Sequence, residues 1–307
     1  MRTKSYFDIR HACNAVLALL FMFGSVGFVS CSSDDEDGDD GGSTVLPDYD
    51  MTNKVTAIYD SEDEMVFNYE NGVMTSGQYV FGGNFTISPT EVTFVEGDGD
   101  QLYKEVFKIK DKNSFGSVTS ADVEVSDATY GELYEYEGTF NASYDKDNHI
   151  QSLNVVVLGN GESESIKLTF TWVGGNLARS SYRYFVNYYD GEKYEETDSY
   201  SYEYGSDAVN NNGICIPGFL KGMEYFGYAG LLGSMTDKIP TSVNGEAVTV
   251  ELDLLNRVFE LFVGGEKFAT YYYYDEPEYA PQAPRKSEPA VHKRGLMRHL
   301  MSTLTAK

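Results

Sequence analysis

Between residues 64 and 274 the chain repeats one unit: a short run alternating aromatic or β-branched residues with polar ones, then a tight cluster of Gly, Asn and Asp. A helix would need apolar residues three and four apart, and that spacing is not sustained in this part. Alternation with close turns leaves antiparallel strands as neighbours. Strands are predicted over 64–69, 84–87, 91–95, 102–109, 117–125, 132–144, 149–158, 164–172, 177–189, 194–204, 247–254, 257–263 and 267–274. Asn71-Gly72, Ser88-Pro89-Thr90, Asn160-Gly161, Gly174-Gly175-Asn176 and Asp190-Gly191 provide turns. The expected fold is all-β, an antiparallel meander of about a dozen strands. Exposed edges and twist favour curling, so a barrel or strongly curved sheet is expected.

Residues 205–246 interrupt the pattern. Asn210-Asn211-Asn212-Gly213 opens a loop, and the apolar stretch 214–235 is broken by Pro217, Lys221 and Glu224. It is no membrane span. One or two helical turns that plug or cap an end of the sheet would suit it.

The N-terminus has a different purpose. Arg2, Lys4 and Arg10 precede an apolar run from Ala12 to Val29, the pattern of a secretory leader over residues 1–30. Phe28-Val29-Ser30-Cys31 resembles a bacterial lipobox, departing from it at Phe28 and Val29. Cys31 is therefore the expected lipidation site and first mature residue. Residues 31–47, with Asp34-Asp35-Glu36-Asp37, cannot bury apolar surface and read as an acidic flexible tether. Acids directly after the lipid cysteine resemble a surface-export signal. The implied address is the outer membrane, reached by a lipid anchor, with the domain exposed at the cell surface. Residues 48–275 form the single β domain. Residues 276–307 hold Pro277, Pro281, Pro284 and Pro289 and a basic end, read as a linker and disordered tail.

Charge and rare residues exclude several functions. From Thr44 to Asp275 there are 14 basic and 38 acidic residues, a net of −24. Nucleic acid is excluded as a partner, since its phosphates need cations. Cys215 is the only cysteine beyond the leader and lipobox, so the mature domain has no disulfide if Cys31 is acylated. His149 is the one histidine in the domain, expected to be a solvated residue at a strand edge. Neither a zinc site nor a histidine-based nucleophile follows. Asp98-Gly99-Asp100 with Glu96 and Glu105 offers oxygen ligands but lacks calcium-loop spacing, and Asp145-Lys146-Asp147-Asn148 has a lysine in its middle. Both read as polar hairpin tips. No metal, cofactor or catalytic constellation is assigned, and a non-catalytic protein is expected.

Aromatic stripes remain. Tyr200, Tyr202 and Tyr204 share one face, as do Tyr182 and Tyr184, and Trp172 stands on the strand before them. These six residues are the candidates for stacking on a ligand, with an extracellular glycan as the leading guess. Tyrosine is also a common filler of half-buried sheet surfaces.

Leu168-Thr-Phe-Thr-Trp172-Val-Gly-Gly-Asn176-Leu177, the aromatic strands after it, and Gly227…Leu232-Gly233…Ile239-Pro240 before a closing hairpin resemble an uncharacterised domain family of Bacteroidota surface lipoproteins with a porin-like fold. The resemblance covers residues 50–275, most specifically 164–274. It implies a barrel-like fold and a lipoprotein context, and it transfers no catalytic residues. The positions opposite the hydrophobic ones carry Glu, Lys, Ser and Asp, and a lipid anchor is redundant for a spanning barrel. The expectation is thus a soluble rather than membrane-spanning domain. Its role is expected to be ligand binding at the cell surface. The alternatives are a structural or assembly component that docks an envelope protein, and an unrecognised hydrolase.

Overall fold

The computed structural model describes residues 53–273, apart from 61–63, 80–81, 98–101, 129–132, 206–209 and 211–212. Leader, Cys31, tether, tail and the Asp98–Asp100 turn lie outside the described residues. The strands are β1 (Val55–Asp60), β2 (Glu64–Glu70), β3 (Val73–Tyr79), β4 (Asn84–Ile87), β5 (Glu91–Glu96), β6 (Tyr103–Lys112), β7 (Val118–Asp127) and β8 (Tyr134–Tyr144). They continue with β9 (Ile150–Gly159), β10 (Glu162–Val173), β11 (Asn176–Asn187), β12 (Lys193–Glu203), β13 (Ser242–Val243), β14 (Glu246–Leu252), β15 (Val258–Val263) and β16 (Glu266–Tyr273). One short helix, α1 (Glu224–Tyr228), lies between β12 and β13.

Every strand pairs antiparallel with its sequence neighbours, and β1 pairs with β16, so sixteen strands close into a barrel. Val55 stands opposite Tyr273 at the seam. The turns are those the sequence marked: Asn71 and Gly72 have φ of 52° and 76°, and Asn160 and Gly161 have 53° and 80°. Two successive positive φ values match the right-handed twist of the flanking strands.

The expectation of about a dozen strands, soluble rather than membrane-spanning, is overturned. The additional strands are β1, β3 and the two-residue β13. Gly77 in the middle of β3 weakens its signal, yet it is required: a Cβ there would meet the Phe85 ring at 2.2 Å and the Val66 carbonyl at 2.6 Å. Closure to sixteen strands leaves no edge. A closed barrel is, beside the α-helix, the architecture whose backbone satisfies itself well enough to cross a bilayer. Architecture therefore gives no ground for setting membrane spanning aside, and that part of the expectation is withdrawn. No described helix is long and apolar enough to cross a membrane, which says nothing about strands.

Alternation sorts the wall. In β12, Lys193, Glu195, Thr197, Ser199, Ser201 and Glu203 are exposed, while Tyr194 to Tyr202 at even positions face inward. β8, β10 and β11 follow the same even-inward phase, apart from a bulge at Thr171/Trp172. Outward charges pair across strands, as in Lys110–Asp122 at 2.6 Å and the two-bond Arg183–Glu195 contact at 2.9 and 3.1 Å. Such exposed pairs add little to stability, because water and salt screen them.

The chain between β12 and β13 folds back into one end of the barrel. Ile214, Ile216, Phe219, Leu220, Met223, Tyr225, Phe226 and Leu232 are all buried there. Phe226 meets Phe107 edge-on at 5.1 Å and Phe140 in a stack at 6.2 Å, and Tyr225 meets Phe85 at 5.0 Å. This plug is tied to the rim it entered by backbone bonds, Val118 N to Leu231 O at 2.9 Å and Ser234 N to Asn148 O at 2.8 Å. Gly218 (φ 73°) lies so close to Tyr200 that a Cβ would meet its ring at 2.5 Å. The expected plugging turn is α1 with its flanks.

Candidate functional site

Tracing the strands fixes two rims. The turns at 71–72, 113–117, 145–149 and 174–175, and both ends of the plug segment, lie on one rim, here the plug rim. The turns at 160–161 and 188–192, and the ends of β3, β5 and β7, lie on the other, the mouth.

Toward the mouth the inner face changes character. On β10, Glu162 and Glu164 share the inward phase of Ile166, Leu168 and Phe170. Glu105 lies in phase with Tyr103 and Phe107 on β6, and Glu196 and Asp198 with the inward tyrosines of β12. Strand geometry leaves these acids no choice of side without turning the apolar residues outward. Several inward residues at this end, among them Tyr136, Glu162, Tyr188, Tyr194 and Glu196, are only half-buried. Inward side chains at this end of the barrel thus keep contact with solvent.

Deeper in, Glu105 and Glu164 are buried. The Tyr103 hydroxyl donates to Glu105, and Tyr184 Oη donates to Glu164 Oε2 at 3.2 Å. Burial pushes the Glu164 carboxyl up to about 7, against the pull of the Tyr184 hydrogen bond, and the nearby Glu162, Glu105 and Asp127 raise it further. Removal from water disfavours the charged form, and like charges add to that. The Tyr103 and Tyr184 phenols are held above their ordinary range, first by burial and then by these carboxylates.

The floor of the lumen is the plug. Lys221 Nζ lies 4.8 Å over the Tyr182 ring and 3.7 Å from Asp198 Oδ2. Asp198 Oδ2 also accepts from Tyr200 Oη at 2.7 Å. Two phenol hydroxyls, of Tyr182 and Tyr225, are buried with no hydrogen-bond partner among the described residues. A buried polar group left unpaired costs about 1–3 kcal/mol.

The six stacking candidates do not form an outer platform. Tyr182, Tyr184 and Tyr202 are buried inside the barrel. Tyr202 Oη donates to Pro217 O at 2.8 Å, and Tyr204 Oη to Leu177 O at 2.8 Å, so both hold the plug rim together. Trp172 donates from Nε1 to Ile150 O at 2.6 Å, stacks on His149 at 4.5 Å and meets Phe219 edge-on at 5.7 Å. Of the six, Tyr184 and Tyr200 bond to inward acids, Glu164 and Asp198, and Tyr182 lies under the Lys221 ammonium. The reason is parity: the same alternation that lines up a stripe also turns it inward.

His149 is likewise buried and stacked rather than solvated, with Nδ1 3.1 Å from Asp145 Oδ2. Asp145, Asp147 and His149 are the one group of potential metal ligands among the described residues, and they close a hairpin at the plug rim through backbone donors to Asp145 Oδ1. Cys215 is buried in the plug, its thiol pushed up by burial.

Sequence reasoning passed over Glu164, Glu196, Asp198 and Lys221 as site residues. A signal was present for the acids: a carboxylate in the apolar phase of a strand has to lie inside.

No family model matches the chain, and no curated protein matches it. Among solved structures, a porin-like protein from Bacteroides vulgatus aligns at 14% identity with a TM-score of 0.44, over 73% of this chain and 99% of that one. A porin-like protein from Bacteroides uniformis aligns at 13% identity with a TM-score of 0.24, over 63% of this chain and 95% of that one.

Proposed function

We propose that this chain is an envelope β-barrel lipoprotein, anchored in the outer membrane through Cys31 and exposed at the cell surface, that binds a small polar ligand without chemical turnover in the lumen at its mouth. The observation that carries the reading is the inner face at the mouth: inward tyrosines and carboxylates, several of them half-buried, together with the buried Tyr182 and Tyr225 hydroxyls, which have no partner among the described residues. Tyrosine rings and carboxylates together suit hydroxyl- or amine-bearing ligands. The plug fills the other half with packed aromatics, so a through-channel is not part of this reading. A glycan remains within it, at the lumen rather than on the outer wall.

Thermal shift of the purified full-length protein against glycans and small polar metabolites tests the binding reading. A ligand should raise the unfolding temperature, and Glu196→Gln or Tyr188→Ala at the mouth should remove the effect. Ligands that stabilise the protein and both variants equally, or no ligand in the panel, would sink it. The anchor is tested separately: acyl labelling and a globomycin-sensitive mobility shift should both vanish in Cys31→Ala.

One observation favours a hydrolase: two buried acids face one lumen, and Glu164 is held protonated near neutral pH. Glycoside hydrolysis uses such a pair. Against this, both acids are sealed by tyrosine hydroxyls and buried, so neither presents an oxygen to a substrate. Release of nitrophenol from aryl glycosides, abolished by Glu164→Gln, would replace binding by hydrolysis.

A further inference from the structure

The two rims differ at their hairpin tips. On the plug rim Val73, Phe115, Val173, Leu252, Leu254 and Leu255 are each more than half exposed, and Leu254 is fully so. Single exposed apolar residues are ordinary on a protein surface. These six are gathered at one end of the barrel, in four of its hairpins.

The same tips carry little net charge. Residues 114–116 and 173–176 have none. In the 253–257 turn the charges cancel: Arg257 Nε donates to Asp253 Oδ2 at 2.6 Å, and Asp253 Oδ1 accepts from the Leu255 and Arg257 backbone. That turn holds its ions close and projects Leu254 and Leu255. Lys146 and Asp147, in the 145–149 turn, offset each other at 3.2 Å. The mouth also exposes Leu133, Leu158 and Tyr189, but in acidic company. Tyr189 is followed by Asp190 and Glu192, Leu133 follows Glu132, and Leu158 stands opposite Glu137.

Position along the wall adds a second observation. β1 starts at Val55 on the plug rim, so the segment leading from Cys31 joins the barrel there. The β2–β3 tip lies on one side of that point and, past β16, the β14–β15 tip on the other. Apolar tips thus flank the place where an anchor on Cys31 is tied to the barrel. Residues 32–54 reach roughly 80 Å when extended, so the tether alone lets the barrel hang free. Contact with lipid has to come from the rim itself.

We infer that the plug rim is a membrane seat: Phe115, Val173 and the Leu254-Leu255 tip enter the lipid surface that holds the Cys31 acyl chains. Apolar side chains gain by leaving water at the headgroup boundary, and uncharged tips bring no ion with them. Seated this way, the barrel turns the tyrosines and carboxylates of its mouth away from the membrane. The identity of that membrane rests on the Cys31 anchor proposed above; the affinity of the tips for lipid does not.

The test is flotation with neutral phosphatidylcholine vesicles. The full-length protein is reconstituted with them, its tether is cut at a protease site introduced within residues 42–47, and the folded barrel is followed. The barrel should stay on the vesicles after cleavage. The double variant Phe115→Ser with Leu254→Ser should partition about tenfold less or more weakly still, and Tyr189→Ser at the mouth should change nothing. An unchanged unfolding temperature shows that the double variant is folded; Val173→Ser with Leu255→Ser serves if it is not. Equal retention of the unaltered and double-variant barrels, or loss through Tyr189→Ser alone, would place the lipid contact elsewhere and overturn the seat. Complete release of the unaltered barrel would overturn it too. The anchor fails separately, through absent acyl labelling at Cys31, and cleaved barrel mixed with vesicles then still decides on the tips.

Discussion

The two halves of one barrel are built by the same strands and differ in what fills them. Toward the plug rim, β6, β8 and β10 turn Phe107, Phe140 and Phe170 onto Phe226 and Phe219 of the inserted segment. Toward the mouth the same strands turn in Glu105, Tyr136 and Glu164. Apolar contact stabilises the first half, while the second retains buried charge and unpaired hydroxyls that folding alone does not reward. The contrast separates the part of the molecule that holds the fold from the part that is free to bind.

The largest expected effect tests the packed half. Phe226→Ala removes a ring enclosed by Phe107, Phe140 and Tyr225, and chemical denaturation should show a loss of about 3–5 kcal/mol. A loss below that of an exposed tyrosine such as Tyr189 would break the comparison.

Next comes the acid half. In the folded protein Glu164 keeps its proton up to about 7, while the unfolded chain releases it near the ordinary 4.5. Between those values the folded state binds more protons, so stability falls as pH rises through the window and levels off above it. The total is roughly 3 kcal/mol, because one unit of displacement is worth about 1.4 kcal/mol. Unfolding followed across this range should show the slope in the native protein and lose it in Glu164→Gln. Burial sets the slope first; the Tyr184 hydrogen bond from β11 works against it, and Glu162 on the same strand, Glu105 on β6 and Asp127 on β7 add to it.

Tyr225→Phe sharpens the border between the halves. The ring belongs to the packed core and the unpaired hydroxyl to the lumen floor. Removing the hydroxyl should raise stability by about 1 kcal/mol in thermal unfolding. A drop would show that the hydroxyl has a partner inside the barrel. The smallest effect lies on the outer wall: Lys108→Ala, which breaks the exposed pair with Glu124, should leave the denaturation midpoint unchanged within error, because water screens that pair.

Much of this barrel was legible in the sequence. Asn-Gly and Gly-Gly pairs marked turns because few other residues accept successive positive φ values. The broken stretch after residue 205 marked the plug through its Pro217 and its charges in apolar surroundings. β1, β3 and β13 were not legible, for different reasons. β13 is two residues long, and β3 carries Gly77 where a strand signal expects a side chain, because Phe85 needs that space. Closure itself was not legible, since it depends on β1 finding β16 across the whole domain. The stacking residues were found as a stripe but placed on no particular side. Which side a stripe faces depends on the rest of the strand, and Glu164 among Ile166, Leu168 and Phe170 carried that information unused.

The seam between β1 and β16 makes the barrel a ring in all but covalent terms. Each strand touches the two that flank it in sequence, and Val55 sits opposite Tyr273, so where the chain begins and ends is incidental to the wall. A short peptide joining those two strands, with a new break at Asn160-Gly161, would preserve every ladder while moving the termini to the opposite rim. The order of the gene and the order of the wall are separable here.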